Sequence, residues 1–388
     1  MVPFIDDISL LAGVILILMA VITPLLNGFF RCPISHLVDE GDGETVPAGK
    51  KWPHVSIILS IEGDSYALQR NLPAYLQQEY PGEYDVIVVT RKGDSEVEDA
   101  LIPFENNPMV YCTYVPNSAR YMSKPKLAVT LGGKASKSEW LVMADITSTP
   151  ISNQWITTLM SNADDNVDMI LGYCQYEKEM SSFRRFVKLH TCSYLFNECV
   201  KGTPYRATGH NIAFRRKMFM EQDGYRGNLK YTGGEYDFLV NKFASRDNSV
   251  LCLNPQSWLL AEQPTEKSWR NGQLFYQENR KHLSRSFWHR LPYVTDQTVL
   301  HLNYLAEIGI GIYAAVTSKW ILLAISVLAL ILTVILRTVI GRKFLKIMHE
   351  DFKVWTIVPF EIGVIWFDFY YRMKYIHSDK YDFISHKI

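Results

Sequence analysis

VSIILSIEGDSYALQRNLPAYLQQEYPGEYDVIVV, residues 55–89, reads as a strand, a helix and a second strand. Residues 55–59 are mostly apolar and β-branched, as a strand buried on both faces requires. Leu68, Leu72, Tyr75 and Leu76 recur at helical spacing across 65–80, and the Pro81-Gly82 turn precedes a second apolar run at 85–89. Two such runs joined by a helix make a βαβ unit, which predicts an α/β fold with a largely parallel sheet.

The alternation continues outward from this unit. A third strand is expected at 109–115, then a helix at 125–138 with Pro125 suited to its first turn and Leu127, Leu131 and Ala135 on one face. A fourth strand follows at 139–145 (EWLVMAD) and ends on Asp145. Open α/β sheets bind ligands outside the carboxyl ends of their strands, so Asp145 stands where a ligand contact is expected. Its plainer role is to cap the next helix, expected at 151–161. A strand at 168–173 and an amphipathic helix at 181–200 come next.

The flanks have a different character. Residues 8–30 carry no charge, and about 20 apolar residues cross a bilayer core. Acidic Asp6 and Asp7 at its start and its length argue for a retained anchor over a cleaved signal. Residues 308–318 and 320–336, divided at Ser318-Lys319 and extended back towards Thr298, predict a helical hairpin. Arg31, Lys50 and Lys51 after the first span, and Arg337, Arg342, Lys343 and Lys346 after the hairpin, place the middle of the chain in the cytoplasm. Residues 354–371 include Pro359, Glu361, Asp368 and many aromatics, which suits an interfacial or re-entrant segment. The expected organisation is an anchor at 1–31, a linker at 32–51, a domain at 52–292, a hairpin at 293–341 and an interfacial segment at 342–388.

Composition narrows the function classes. Forty basic side chains balance forty acidic ones, so there is no basic field for nucleic acid. Six cysteines without a Cys-x-x-Cys pair indicate buried thiols and no zinc site. A transporter or receptor finds little support, because the spans show no paired charges on inspection of the sequence.

Five ordered motifs carry a resemblance that covers about residues 55–284. Residues 55–89 resemble the opening nucleotide-binding unit of the family 2 glycosyltransferases, and KPKLAVTLGGKASKSEWLVMAD (124–145) resembles their helix and metal-binding strand. GTPYRATGHNIAFRRKMF (202–219) is similar to the acceptor-side segment. GGEYDFLVNKFA (233–244) is similar to the catalytic-base motif, and YQENRKHLSR (276–285) to the Gln-x-x-Arg box of processive members.

The resemblance implies a GT-A domain, a Rossmann-like mixed α/β sheet of the nucleotide-diphospho-sugar transferase kind, flanked by transmembrane helices. It implies an inverting transfer from a nucleotide sugar to a lipid-linked or growing polysaccharide acceptor at the cytoplasmic membrane. Ser60, Glu62, Asp64, Lys124, Asp145, Gln277 and Arg280 then bind the nucleotide sugar, with Lys124 matching the family's position better than Lys126. Gly209, His210 and Asn211 form a loop beside the sugars. Asp237 is the general base with Glu235 as its substitute, and Asp145 with Thr147 holds Mg2+ or Mn2+. Four departures stand out: Thr90-Arg91 and Thr147 replace acids, the base motif reads Glu235-Tyr236-Asp237, and Lys281 replaces a Trp. The three at acidic positions motivate an alternative, a degenerate homologue serving as a scaffold in polysaccharide assembly.

Overall fold

The structure, a computed structural model, describes residues 6–39, 49–116, 122–379 and 383. Residues 40–48 of the expected linker and the end of the expected interfacial segment lie outside the described residues. By compactness the chain divides into two units. One comprises Met1–Pro33, Ser182–Asn197 and Arg285–Tyr370, and the other Ile34–Ser181, Glu198–Ser284 and Tyr371–Ile388.

The second unit is mixed α/β. Its strands are β1 (Val55–Ser60), β2 (Tyr84–Arg91), β3 (Val110–Val115), β4 (Trp140–Asp145), β5 (Ser148–Pro150), β6 (Met169–Leu171), β7 (Cys174–Tyr176), β8 (Asn211–Arg215), β9 (Ser249–Leu251) and β10 (Leu259–Ala261). Seven form one sheet in the order β3-β2-β1-β4-β8-β6-β9, and β5-β10-β7 form a small second sheet. From β3 to β4 every pairing is parallel, as the βαβ reading expects. The exception is β8, which runs antiparallel to both β4 and β6. The sequence pattern at 202–219, which predicts a loop beside the sugars, carries no strand signal there.

Burial on both faces explains the apolar runs of β1 and β4, each buried over its first five residues. The helix Ser65–Leu76 places Leu68, Leu72 and Tyr75 in the core with Ile57, Leu59 and Trp155. The helix Lys124–Ala135 presses against β1 through Gly132, where an added Cβ would come within 2.9 Å of the Ile58 side chain. Only a residue without a side chain lets helix and sheet approach this closely.

The first unit is helical, and three helices among the described residues are long and apolar enough to cross a membrane: Asp7–Leu25, Phe287–Val316 and Trp320–Ile347. The break between the last two falls at Ser318-Lys319, with Ser318 in the left-handed region at φ 55°. Leu16 and Ala20 of the first helix pack on Ala329 of the third, with Ala306 and Ile310 of the second beside them. Gly13 and Gly311 face Ile325 and Ser326, small residues that allow helices to approach.

Charges are buried within this helical unit. The guanidinium of Arg337, fully buried, lies 3.4 Å from Asp296 Oδ1 and 3.3 Å from Glu361 Oε2, and donates to the Thr23 carbonyl at 3.1 Å. Tyr194 donates to Asp296 Oδ2 at 2.7 Å, His190 Nε2 lies 3.8 Å from the same oxygen, and Asn27 donates to Glu361. The expectation of spans without paired charges is therefore corrected. Its partners sit on different helices, 41 and 24 residues apart, where no local reading finds them. Arg337 is likewise an internal ion and not a flanking cation. Helical rise puts it about 25 Å along its helix from Trp320, and Thr23 about 24 Å from Asp7. The cluster thus lies at the end of the bundle opposite the pair of Lys319 with Asp6, 3.1 Å apart.

Removing one member of such a cluster leaves uncompensated charge. Arg337→Met is expected to destabilise the protein by about 3–5 kcal/mol, read as a lowered thermal midpoint in detergent. Asp6→Asn, at the exposed pair, should leave that midpoint where it is.

Candidate active site

The site forms at the carboxyl end of β4. Asp145 is the strand's last residue, and the turn that follows is pinned from below. Tyr75 Oη donates to the carbonyls of Ser148 at 2.8 Å and Asp145 at 3.2 Å, and Asn71 Nδ2 donates to the Ile146 carbonyl at 2.7 Å. Thr147 turns back on the strand end, its N–H and Oγ1 donating to Asp145 Oδ1 at 2.9 and 2.8 Å. One carboxylate oxygen is thereby fixed. The other, Oδ2, makes no hydrogen bond among the described residues and lies 3.7 Å from His210 Nδ1.

His210 precedes β8, whose register sets Asn211 against Ala144. Continuing that register brings His210 opposite Asp145. Its ring stacks on buried Tyr236, with centroids 4.7 Å apart and planes 21° from parallel. Asn211 is fully buried, and its Nδ2 donates to the carbonyls of Tyr173 at 3.0 Å and Ser257 at 2.8 Å. Gly209 packs on β7, where an added Cβ would meet Cys174 at 3.0 Å. These two anchor the loop, and of the three loop residues only His210 faces the strand end.

Glu235 and Asp237 open the helix Glu235–Phe243, entered through Gly233 and Gly234 at φ 66° and 72°. An added Cβ at Gly234 would sit 2.7 Å from Asn279 Nδ2, so glycine serves both the turn and the close approach. Tyr225 Oη donates to the Glu235 carbonyl at 3.0 Å. The Glu235 carboxyl is pushed up by burial, against the opposing pull of its own backbone N–H, His210 and Lys126, and its Oε2 is enclosed without a hydrogen-bond partner. Asp237 is engaged instead: Arg206 Nε donates to its Oδ2 at 3.0 Å and the Ala207 N–H to its Oδ1 at 3.3 Å. Tyr236 is pushed well above the usual tyrosine range by burial, which keeps it protonated.

At the end of β1, Ser60 is half-buried, Glu62 pairs with Lys124 at 2.5 Å, and Asp64 precedes the helix Ser65–Leu76. Burial and the nearby charges of Asp145, Glu262 and Glu62 push the Asp64 carboxyl up. Glu262, which accepts from Asn71 at 2.8 Å and pairs with Arg70, belongs to this edge and was missed in the sequence for want of any motif. Arg206 was also missed. Its guanidinium stacks on Tyr276 at 3.8 Å, and Arg280 approaches the same ring at 5.9 Å. Gln277 is buried and accepts from Arg280 at 3.1 Å, whereas Lys281 is held by Glu278 and Tyr375.

Among the described residues no three His, Cys, Asp or Glu side chains converge to hold a metal ion. The donor set at the strand end still fits a hard divalent cation of the kind completed by phosphate oxygens and water, because Asp145 Oδ2 is open. Thr147, expected as a ligand, is a hydrogen-bond donor to Asp145.

No protein-family model matches the sequence, and no curated protein matches it. Among solved structures, the mannosyltransferase PcManGT from Pyrobaculum calidifontis, in complex with GDP-Man and Mn2+, aligns at 14% identity and a TM-score of 0.52, covering 92% of this chain and 98% of that one. TarS 1-349 from S. aureus, in complex with UDP-GlcNAc, aligns at 10% identity and a TM-score of 0.42, covering 83% and 90%. The first likeness is one of fold.

Beneath the site, Lys126 is fully buried, donating to the carbonyls of Asn228 at 3.0 Å and Tyr231 at 2.8 Å, with its ammonium 4.3 Å from the Phe238 ring centre. Burial brings its pKa down to about 8, against the opposing pull of Glu235 and Asp237. Between that value and the ordinary lysine value the unfolded chain holds the extra proton, so this residue's contribution to stability rises with pH. Thermal midpoints should therefore shift in favour of wild type over Lys126→Met from pH about 8 to about 10. A constant difference would show that Lys126 does not titrate there.

Proposed function

We propose that the chain is an inverting glycosyltransferase of the GT-A kind, related to family 2. In this reading it is anchored in the cytoplasmic membrane and moves a sugar from a nucleotide-diphosphate donor to a lipid-linked or growing glycan acceptor. The observation that carries the reading is the convergence of Asp145, His210 and Glu235 at the carboxyl edge of the sheet, in a fold shared with a mannosyltransferase solved with GDP-Man and Mn2+. The apolar helices support the membrane assignment, and Arg31, Arg342, Lys343 and Lys346 support the cytoplasmic side.

On the donor side, Ser60, Glu62, Asp64 and Lys124 take the nucleotide at the end of β1. Arg280, which has no carboxylate partner among the described residues, offers a planar fork to two phosphate oxygens, braced by Gln277. A divalent cation held at Asp145 supplies neutralising charge to the diphosphate when bound.

Glu235 is the better placed base. Asp237 has both oxygens occupied by Arg206 and Ala207, whereas Glu235 has an unpaired oxygen and a carboxyl pushed up by burial, which makes it the stronger base. This reverses the order of preference drawn from the motif, which put Asp237 first. Glu235 takes the proton of the acceptor hydroxyl as that oxygen bonds to the anomeric carbon. The bond to the diphosphate breaks on the opposite face, and the nucleoside diphosphate leaves with the electron pair.

Glu235→Gln should lower transfer by about 10²–10⁴-fold with donor binding retained, measured across several nucleotide sugars with Mg2+ or Mn2+. Asp237→Asn should act more weakly and mainly through loss of the Arg206 contact. Absence of nucleoside diphosphate binding under every condition would sink the enzyme reading and leave the scaffold.

A further inference from the structure

We propose that His210 is the second protein ligand of the divalent cation, an imidazole from β8 taking the place of the acid that Thr147 does not supply. The inference rests on the glycosyltransferase reading above, and it starts from how Asp145 is held. Both donors of Thr147 converge on Oδ1, which leaves Oδ2 as the oxygen presented to a ligand. His210 Nδ1 faces that oxygen at 3.7 Å, too far for a hydrogen bond. Neither atom has another hydrogen-bond partner among the described residues.

The separation of 3.7 Å is within a small side-chain movement of that of two atoms sharing an ion. At neighbouring octahedral positions, with metal–ligand bonds of about 2.1 Å, they would stand about 3.0 Å apart, so a shift of under about 1 Å lets both reach one cation without moving the backbone.

The imidazole is held in place before any ion arrives. Tyr236 fixes its plane by stacking, Asn211 anchors the next residue through two buried hydrogen bonds, and Gly209 anchors the previous one against Cys174. The stacking takes the orienting role that a hydrogen bond to the second ring nitrogen has in most metal-bound histidines. Glu235 lies near enough to feel the charges of both Asp145 and His210, and its enclosed Oε2 has no partner. A cation between the first two therefore has the carboxylates of Asp145 and Glu235 within reach of its charge, with Lys126 as the opposing cation. Two protein ligands suffice for an ion whose remaining positions are taken by diphosphate oxygens and water. A nitrogen donor also sets the preference, favouring Mn2+ over Mg2+, which takes oxygen ligands.

The test is a Mn2+ titration of the detergent-solubilised full chain, following the free-ion electron paramagnetic resonance signal with UDP or GDP present and with Mn2+ alone. His210→Ala should weaken Mn2+ by about tenfold or more and Mg2+ by less, with the thermal midpoint and metal-free nucleotide binding retained. Introducing Thr147→Asp into that variant should restore Mn2+ binding, because a carboxylate then returns to the turn. Unchanged Mn2+ affinity in His210→Ala, or wild type that binds nucleotide but no Mn2+, overturns the assignment and leaves the glycosyltransferase reading standing. If wild type binds neither nucleotide nor Mn2+, both fall together.

Discussion

The antiparallel pairing of β8 with β4 is the constraint on which the site depends. Parallel neighbours on the other side of β4 bring only strand ends that run the same way, so β1 offers Ser60 beside Asp145 and little else. An antiparallel neighbour brings a strand start to that edge, and with it His210. The pairing needs Asn211 buried and satisfied, since an amide enclosed without partners costs roughly 1–3 kcal/mol. Two carbonyls meet its Nδ2, and Trp155 Nε1 donates to its Oδ1 at 3.3 Å. The same side chain that looked like a sugar contact thus holds the strand that delivers the imidazole.

Legibility in the sequence followed periodicity. The helix read at 181–200 runs Ser182–Lys201, and the strand read at 139–145 runs Trp140–Asp145, because each carries an unbroken apolar pattern of its own. β5, β7, β9 and β10 are three residues each and β8 five, so little pattern marks them, although the equally short β6 is legible at 168–173. Pairings across the fold were equally hidden. Arg206 with Asp237 and Lys126 with the 228–231 turn join positions that no motif links. What the motifs did indicate was the edge of the sheet where chemistry-bearing residues gather, without saying which of them are spent on structure.

The helical unit shows the same division between apolar pattern and hidden polarity. Its three long helices are legible by hydropathy, yet their packing centres on Arg337, whose partners come from three separate segments. A buried ion pair adds little net stability over apolar packing, but it is intolerant of wrong partners. Apolar helices slide and rotate against one another at small cost, whereas a guanidinium that must meet Asp296, Glu361 and the Thr23 carbonyl admits one arrangement. The cluster therefore specifies register where the small residues at Gly13 and Gly311 supply only proximity.

Thr147 and the base motif gain a common explanation from this geometry. Read singly, each departure from the family's acids looks like decay. Within the fold they are coupled: the Thr147 hydroxyl orients Asp145, Tyr236 provides the surface on which His210 stacks, and Glu235 keeps an unpaired carboxylate oxygen beside both. An acid at position 236 would remove the ring that holds the imidazole and add like charge beside Glu235. Thr147 and Tyr236 thus serve the residues beside them, Asp145 and His210, whereas the Thr90 hydroxyl at the end of β2 is buried without a hydrogen-bond partner among the described residues and takes no part in this arrangement.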